Sequence, residues 1–212
     1  MKKSKYFLIL YLFAAILSQG TLFSQSLTPS NFRYTEQVVD ALKALEGYRD
    51  HVYLDNNNNP IFGYGHLVTE KELPSLQDDF GYETLSGKET EEKSFTPPVN
   101  KLSEAEKMQT IEEYLRKDID ITLEKMKKNI TVSLTQYQVD ALVIYLFWRG
   151  ANELNADVQE LYDLINAQKH EKVIDFIKNR PKSDQTYLPG NRRRNAKTAE
   201  LYRTGEFPFI WY

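Results

Sequence analysis

The chain contains no cysteine. That excludes disulfides, thiolate metal sites, a cysteine nucleophile and a lipid-modified cysteine near the amino terminus. Nor is there an excess of positive charge: 27 basic residues face 30 acidic ones, a formal net charge of −3. A net acidic chain is a poor candidate for binding nucleic acid. No clustered His/Asp/Glu spacing suggests a metal site, and no cofactor is expected. Finally, no apolar run reaches the ~18–20 residues that a bilayer-spanning helix needs.

The apolar run from Phe7 to Leu17 comes nearest. Lys2, Lys3 and Lys5 precede it, and small and polar residues follow around Gly20 to Gln25. This is the layout of a secretory signal peptide over residues 1–25. A membrane anchor is the competing reading, and the shortness of the run weighs against it. Cleavage after Gln25 would leave 187 of the 212 residues, enough for one domain with a sizeable core, residues 26–212. Without the three leader lysines the charge becomes −6. The expectation is an exported protein, periplasmic or secreted, with no stable membrane span once the leader is removed.

"YTEQVVDALKALEGY" reads as a helix, with Thr35 placed to cap it and Val38, Leu42 and Leu45 on one face. Glu46 falls at its end, and Gly47 is a plausible stop. "RDHVYLD" alternates as a strand does, "NNNNP" makes a turn, and "IFGYG" is the return strand. From Pro74 to Asn100 the composition shifts to three prolines and six acids against two lysines. That stretch reads as an inserted surface loop or, equally, a disordered linker. Ser103 and Glu106 form a capping-box pattern. Met108, Ile111, Leu115, Ile119, Leu123 and Met126 then recur at helical spacing. "TQYQVDALVIYLFW" is apolar on nearly every side and should be a buried central helix. Two shorter helices follow, and a basic one ends at Gly205. The fold class is α+β: a small lobe with a hairpin, a long connecting helix, and a helical lobe.

Glu46 and Asp55 are a candidate acid/base pair. Glycoside hydrolysis needs one carboxyl that keeps a proton for the leaving oxygen and another that is ionised to assist water. Glu46, behind an apolar helix face, suits the first role, and Asp55, on a polar turn, suits the second. Two solvated surface acids would show the same spacing, so spacing alone leaves both readings open.

The surrounding residues say more. "EGYRDHVYLD" followed by "GYGH" resembles the active-site signature of the phage-type lysozymes, N-acetylmuramidases of glycoside hydrolase family 24. "LSEAEKMQTIEEYLRKDID", "LTQYQVDALVIYLFWRGA" and "GNRRRNAKTAELYRTGEF" resemble later segments of that family in the right order. The resemblance runs from about Thr35 to Phe207 and implies a lysozyme-like fold. It implies that Glu46 is the general acid and that Asp55 assists the attacking water. It also implies that Gly63, Tyr64 and Gly65 support the site and that His66 is a cleft histidine paired with Asp118. Leu67 and Phe147 would be glycan contacts. The implied partner is peptidoglycan, cut by a monomeric enzyme between N-acetylmuramic acid and N-acetylglucosamine with inversion.

One position departs from the pattern. Five residues after Asp55 the family has a threonine or serine, whose hydroxyl helps hold the attacking water. Here the residue is Ile61, which can neither donate nor accept a hydrogen bond. Reduced activity, replacement of the contact by a neighbour such as Asn59, or glycan binding without cleavage all remain open.

Overall fold

The computed structural model describes residues 26–55, 58–86, 92–151, 154–179 and 188–208; the leader reading falls outside them. These residues form an α+β protein in two compact units. One unit comprises residues up to Val38 together with those from Thr122 onward; the other runs from Val39 to Ile121.

The second unit holds a five-stranded sheet. Its strands are β2 (Arg49–Leu54), β3 (Pro60–Gly63), β4 (His66–Leu67), β5 (Tyr82–Ser86) and β6 (Glu92–Thr96), in the spatial order β4-β3-β2-β5-β6. All neighbours are antiparallel except β2 and β5, where Val52 faces Tyr82 and Tyr53 faces Glu83. Helix α1 (Glu36–Glu46) leads into β2, and helix α2 (Leu73–Phe80) lies between β4 and β5. Val52, Phe62, Val68, Leu76, Phe80 and Ile111 form the buried core of this unit. The Phe62 and Phe80 rings meet at 4.6 Å in an edge-on arrangement.

The stretch from Pro74 to Asn100 is therefore not a plain surface loop. Its described part folds into most of α2 and the β5–β6 hairpin, which widens the sheet by two strands. Leu73, Leu76 and Phe80 are spaced three and four apart, so one face of a short helix is apolar, and Leu76 and Phe80 are each 2% exposed. Acids and prolines dominate the composition of the segment without interrupting this spacing.

The other unit is helical. The long helix α3 (Glu104–Asn129) belongs to it from Thr122 onward. It also contains a short pair of strands, β1 (Ser26–Leu27) with β7 (Leu134–Thr135), and helices α4 (Gln136–Arg149), α5 (Ala156–Asn166), α6 (His170–Asn179) and α7 (Leu188–Thr204). Helix α4 is buried from Val139 to Leu146, as its all-round apolar sequence predicts. Thr135 and Gln138 cap it reciprocally. Asp140 is wholly buried in α4 and accepts from the Thr35 backbone N–H (3.0 Å), the Thr35 hydroxyl (2.9 Å) and Gln136 Nε2 (3.0 Å). The Thr35 hydroxyl thus also serves a carboxylate 105 residues away. An ionised carboxyl without such donors would be costly there. Even so, burial pushes Asp140 up to about 6.

In α3 the cap expected from the sequence is present. Ser103 donates through its backbone N–H (2.8 Å) and hydroxyl (2.7 Å) to Glu106, while the Glu106 N–H returns to the serine oxygen (3.3 Å). Ile111, Leu115, Ile119, Leu123 and Met126 are buried as their spacing predicts, but Met108 is 60% exposed. It lies in the second turn, beside a small cavity of about 120 Å³ lined also by Lys43, Tyr48, Tyr64, Gln109 and Glu112.

Candidate active site

Glu46 is the last residue of α1. Gly47 takes φ +74°, a left-handed value that breaks the helical path at no Cβ cost and turns the chain into β2. Glu46 is half-buried. Asp55 lies just past the end of β2 and closes the hairpin turn. Its N–H donates to Asn59 O (2.9 Å), and its carbonyl accepts from Asn58 N–H (3.0 Å). Asn58 itself is left-handed, φ +62°, which asparagine tolerates. The Asp55 side chain is held from the same turn: Asn59 N–H donates to Oδ1 (2.8 Å) and Asn59 Nδ2 to Oδ2 (3.1 Å). Two donors from one residue fix the rotamer of this carboxylate.

The strand register separates two rows of side chains. Tyr53 faces Ile61, and Ile61 faces Leu67; Phe62 faces His66. Residues in register share a face of the sheet, and successive residues alternate faces. Val52, Phe62 and His66 are buried on the inner face. Tyr53 and Ile61 are half-buried on the outer face, and Leu67 is 59% exposed. Asp55, two residues after Tyr53, continues the outer row.

Tyr53 lies between Glu46 and Asp55 in the sequence, on β2. The Arg49 guanidinium stacks over its ring at 4.5 Å. Burial pushes the Tyr53 phenol above its ordinary value, Arg49 pulls it down, and the charges of Asp55 and Glu46 both push it further up. Coulomb effects fall with distance.

His66 has a different environment. Its Nδ1 lies 2.9 Å from Asp118 Oδ2 and 3.1 Å from Oδ1, and its Nε2 lies 3.3 Å from Glu72 Oε2. The Tyr114 ring is 4.6 Å from the imidazole. Burial alone would lower the histidine pKa, but Asp118 and Glu72 outweigh it and raise the value. Burial likewise pushes Glu72 up, while Lys117 (2.6 Å), the Thr69 hydroxyl (2.7 Å), the Thr69 N–H (3.0 Å) and His66 pull it down to about 2. At 6% exposure His66 joins β4, the Thr69–Glu72 turn and α3 from the inside of the unit.

The glycine pattern has a local cause. Gly63 adopts φ +60°, and a Cβ there would sit 2.8 Å from Ile111 Cγ2, so only glycine fits. Tyr64 and Gly65 form the turn into β4, and Tyr64 packs near Tyr48, ring centroids 5.8 Å apart. Phe147 is half-buried in α4, which belongs to the helical unit. There the Arg194 guanidinium lies 5.5 Å from the centre of the Trp148 ring. Among the described residues no group of three or more His, Asp or Glu could hold a metal.

Two residues escaped the reading of the sequence. Glu72 had a signal: Thr69-x-x-Glu72 is a capping-box spacing. Tyr53 had one as well, since it lies two residues before Asp55 on an alternating strand.

Known proteins bear on this arrangement. No curated protein matches the chain. An endolysin from the Escherichia coli O157:H7 phage FAHEc1 is similar in structure at a TM-score of 0.59, 19% identity, and coverage of 84% of this chain and 97% of that one. The muramidase domain of SpmX from Asticaccaulis excentricus is similar at 0.57, with 21% identity and coverage of 82% and 99%. A mutant of P22 lysozyme gives 0.52, with 19% identity and coverage of 82% and 99%. At these identities the likeness is one of fold. The phage lysozyme family model matches residues 43–198, most of the chain and all of the hairpin that carries Asp55, so the chain belongs to the phage lysozyme family.

Proposed function

We propose that the protein is an exported peptidoglycan hydrolase, a muramidase that cuts the β-1,4 bond between N-acetylmuramic acid and N-acetylglucosamine. The observation that carries this reading is the placement of Glu46 at the end of α1 and of Asp55, held by Asn59, at the turn of the hairpin that follows, in a chain of this family. Glu46 gives its proton to the glycosidic oxygen as the bond to C1 breaks. Water attacks C1 from the opposite face, and Asp55 takes the proton of that water. The anomeric centre is inverted, Glu46 is left ionised and Asp55 protonated, and exchange with solvent resets both. The position of Glu46 at the last residue of α1 supports its role, because the negative end of the helix dipole disfavours a further negative charge. The two Asn59 donors support the role of Asp55 by aiming its oxygens. Leu67 offers an exposed apolar face to the glycan. His66 and Asp118 act from beneath, holding β4 to α3.

A second reading has one observation in its favour. Ile61 sits between Tyr53 and Leu67 and offers no hydrogen bond. On that reading the chain binds glycan and does not cut it. Labelled peptidoglycan decides between them. Wild type releases new reducing ends and Glu46→Gln lowers the rate at least ~100-fold. An inert wild type with an active Ile61→Thr variant would establish the binding reading.

A further inference from the structure

The outer row of the hairpin contains a polar group able to take the role that Ile61 cannot perform. Tyr53, Ile61 and Leu67 stand side by side on adjacent strands. Two of the three are purely aliphatic, so the phenol is the one group in that row that can both donate and accept a hydrogen bond. Directly opposed side chains have Cβ atoms about 4.5–5.5 Å apart, so the tyrosine ring stands against the isoleucine. Arg49 stacks on the ring at 4.5 Å and restricts its tilt. Asp55 follows Tyr53 by two positions on the same face and is itself aimed by Asn59.

We infer that the Tyr53 hydroxyl holds the attacking water for Asp55, in place of the hydroxyl that position 61 lacks. This rests on the hydrolase reading and assigns a water-positioning residue to it. A phenol has the right chemistry, because it accepts one hydrogen from the water and can donate its own to a carboxylate, leaving the second water hydrogen for Asp55. The charged groups acting on the phenol fit this placement. Arg49 lies over its face, and Asp55 and Glu46 act on it from either end of β2. The His51 ring, 6.5 Å from it edge-on, has Asp50 2.9 Å from its Nδ1 and Glu83 3.3 Å from its Nε2. Asn59, the other neighbour with a polar side chain, is tied to Asp55 through both its backbone N–H and its Nδ2.

The test is a double-mutant cycle on the full chain with peptidoglycan as substrate: wild type, Tyr53→Phe, Ile61→Thr and both together. Tyr53→Phe should lower kcat ~10- to 100-fold with KM nearly unchanged. Ile61→Thr alone should change kcat less than ~3-fold, yet raise it at least ~10-fold when added to Tyr53→Phe. Equal effects of Ile61→Thr in both backgrounds, or an unimpaired Tyr53→Phe, would overturn the inference while leaving the hydrolase reading in place. If none of the four releases reducing ends, both fail. A second measurement requires no turnover: tyrosine Cζ NMR, with the Tyr53 signal identified by its loss in Tyr53→Phe. Its titration should move to lower pH in Glu46→Gln and in Asp55→Asn, and a titration unmoved by either contradicts the placement.

Discussion

On the proposed mechanism, Asp55 is aimed by two hydrogen bonds from one asparagine. Asn59→Ala keeps the backbone donor to Oδ1 and removes the Nδ2 donor to Oδ2. One hydrogen bond is worth ~1 kcal/mol, so kcat should fall about 5-fold, while KM and the thermal midpoint barely move. Steady-state kinetics and a melting curve check both halves. Gly63 makes a demand of another kind, on the backbone and its packing. Its φ of +60° and the 2.8 Å approach of Ile111 leave no room for a methyl group. Gly63→Ala should cost ~1–3 kcal/mol, read from the midpoint of urea unfolding.

Among the elements, β4 is only two residues long. Part of what holds it is the charge cluster His66–Asp118–Glu72–Lys117. His66 is raised above its ordinary 6.5, so its contribution is complete below that value and is lost as pH rises through the folded value. Glu72 is lowered from 4.5 to about 2, so its contribution is present above 4.5 and is lost as pH falls toward 2. The cluster therefore stabilises most between about 4.5 and 6.5. The unfolding free-energy difference between wild type and His66→Asn should be largest in that window, ~1–3 kcal/mol, and should shrink on both sides. A difference that stays flat across it would contradict the assignment.

Much at this scale was legible in the sequence. The Val38–Leu42 spacing, the alternation of "RDHVYL", the Ser103–Glu106 box and the apolar run of α4 are local signals, and the elements they predict are present. What was not legible depended on partners distant in sequence. Nothing local to Thr35 announces that its hydroxyl donates to Asp140 in α4. The strands β5 and β6 were hidden by the acids and prolines around them, and β5 finds its place only by pairing in parallel with β2. At the candidate site, the order Glu46, Asp55, Ile61 could be read directly. The place of Tyr53 beside Ile61 required the hairpin register.

For the whole molecule the relevant quantity is charge. The chain is net acidic, formally −3, and gains no overall attraction toward an anionic cell wall. Raising ionic strength from ~0.01 M to ~0.15 M shortens the screening length from ~30 Å to ~8 Å. KM for wall fragments should therefore stay level or fall, and a several-fold rise would show that a local basic surface, not net charge, governs encounter. The charge also suits an enzyme confined close to its substrate more than one that must capture it from dilute solution.

The most direct test follows the anomeric proton of the sugar released from a defined peptidoglycan oligomer, by NMR, for wild type and Glu46→Gln. Inversion at a β-linkage predicts that wild type releases the α-anomer first, before mutarotation, and that Glu46→Gln releases almost none. Initial release of the β-anomer would contradict the mechanism, and undiminished release by Glu46→Gln would contradict the site.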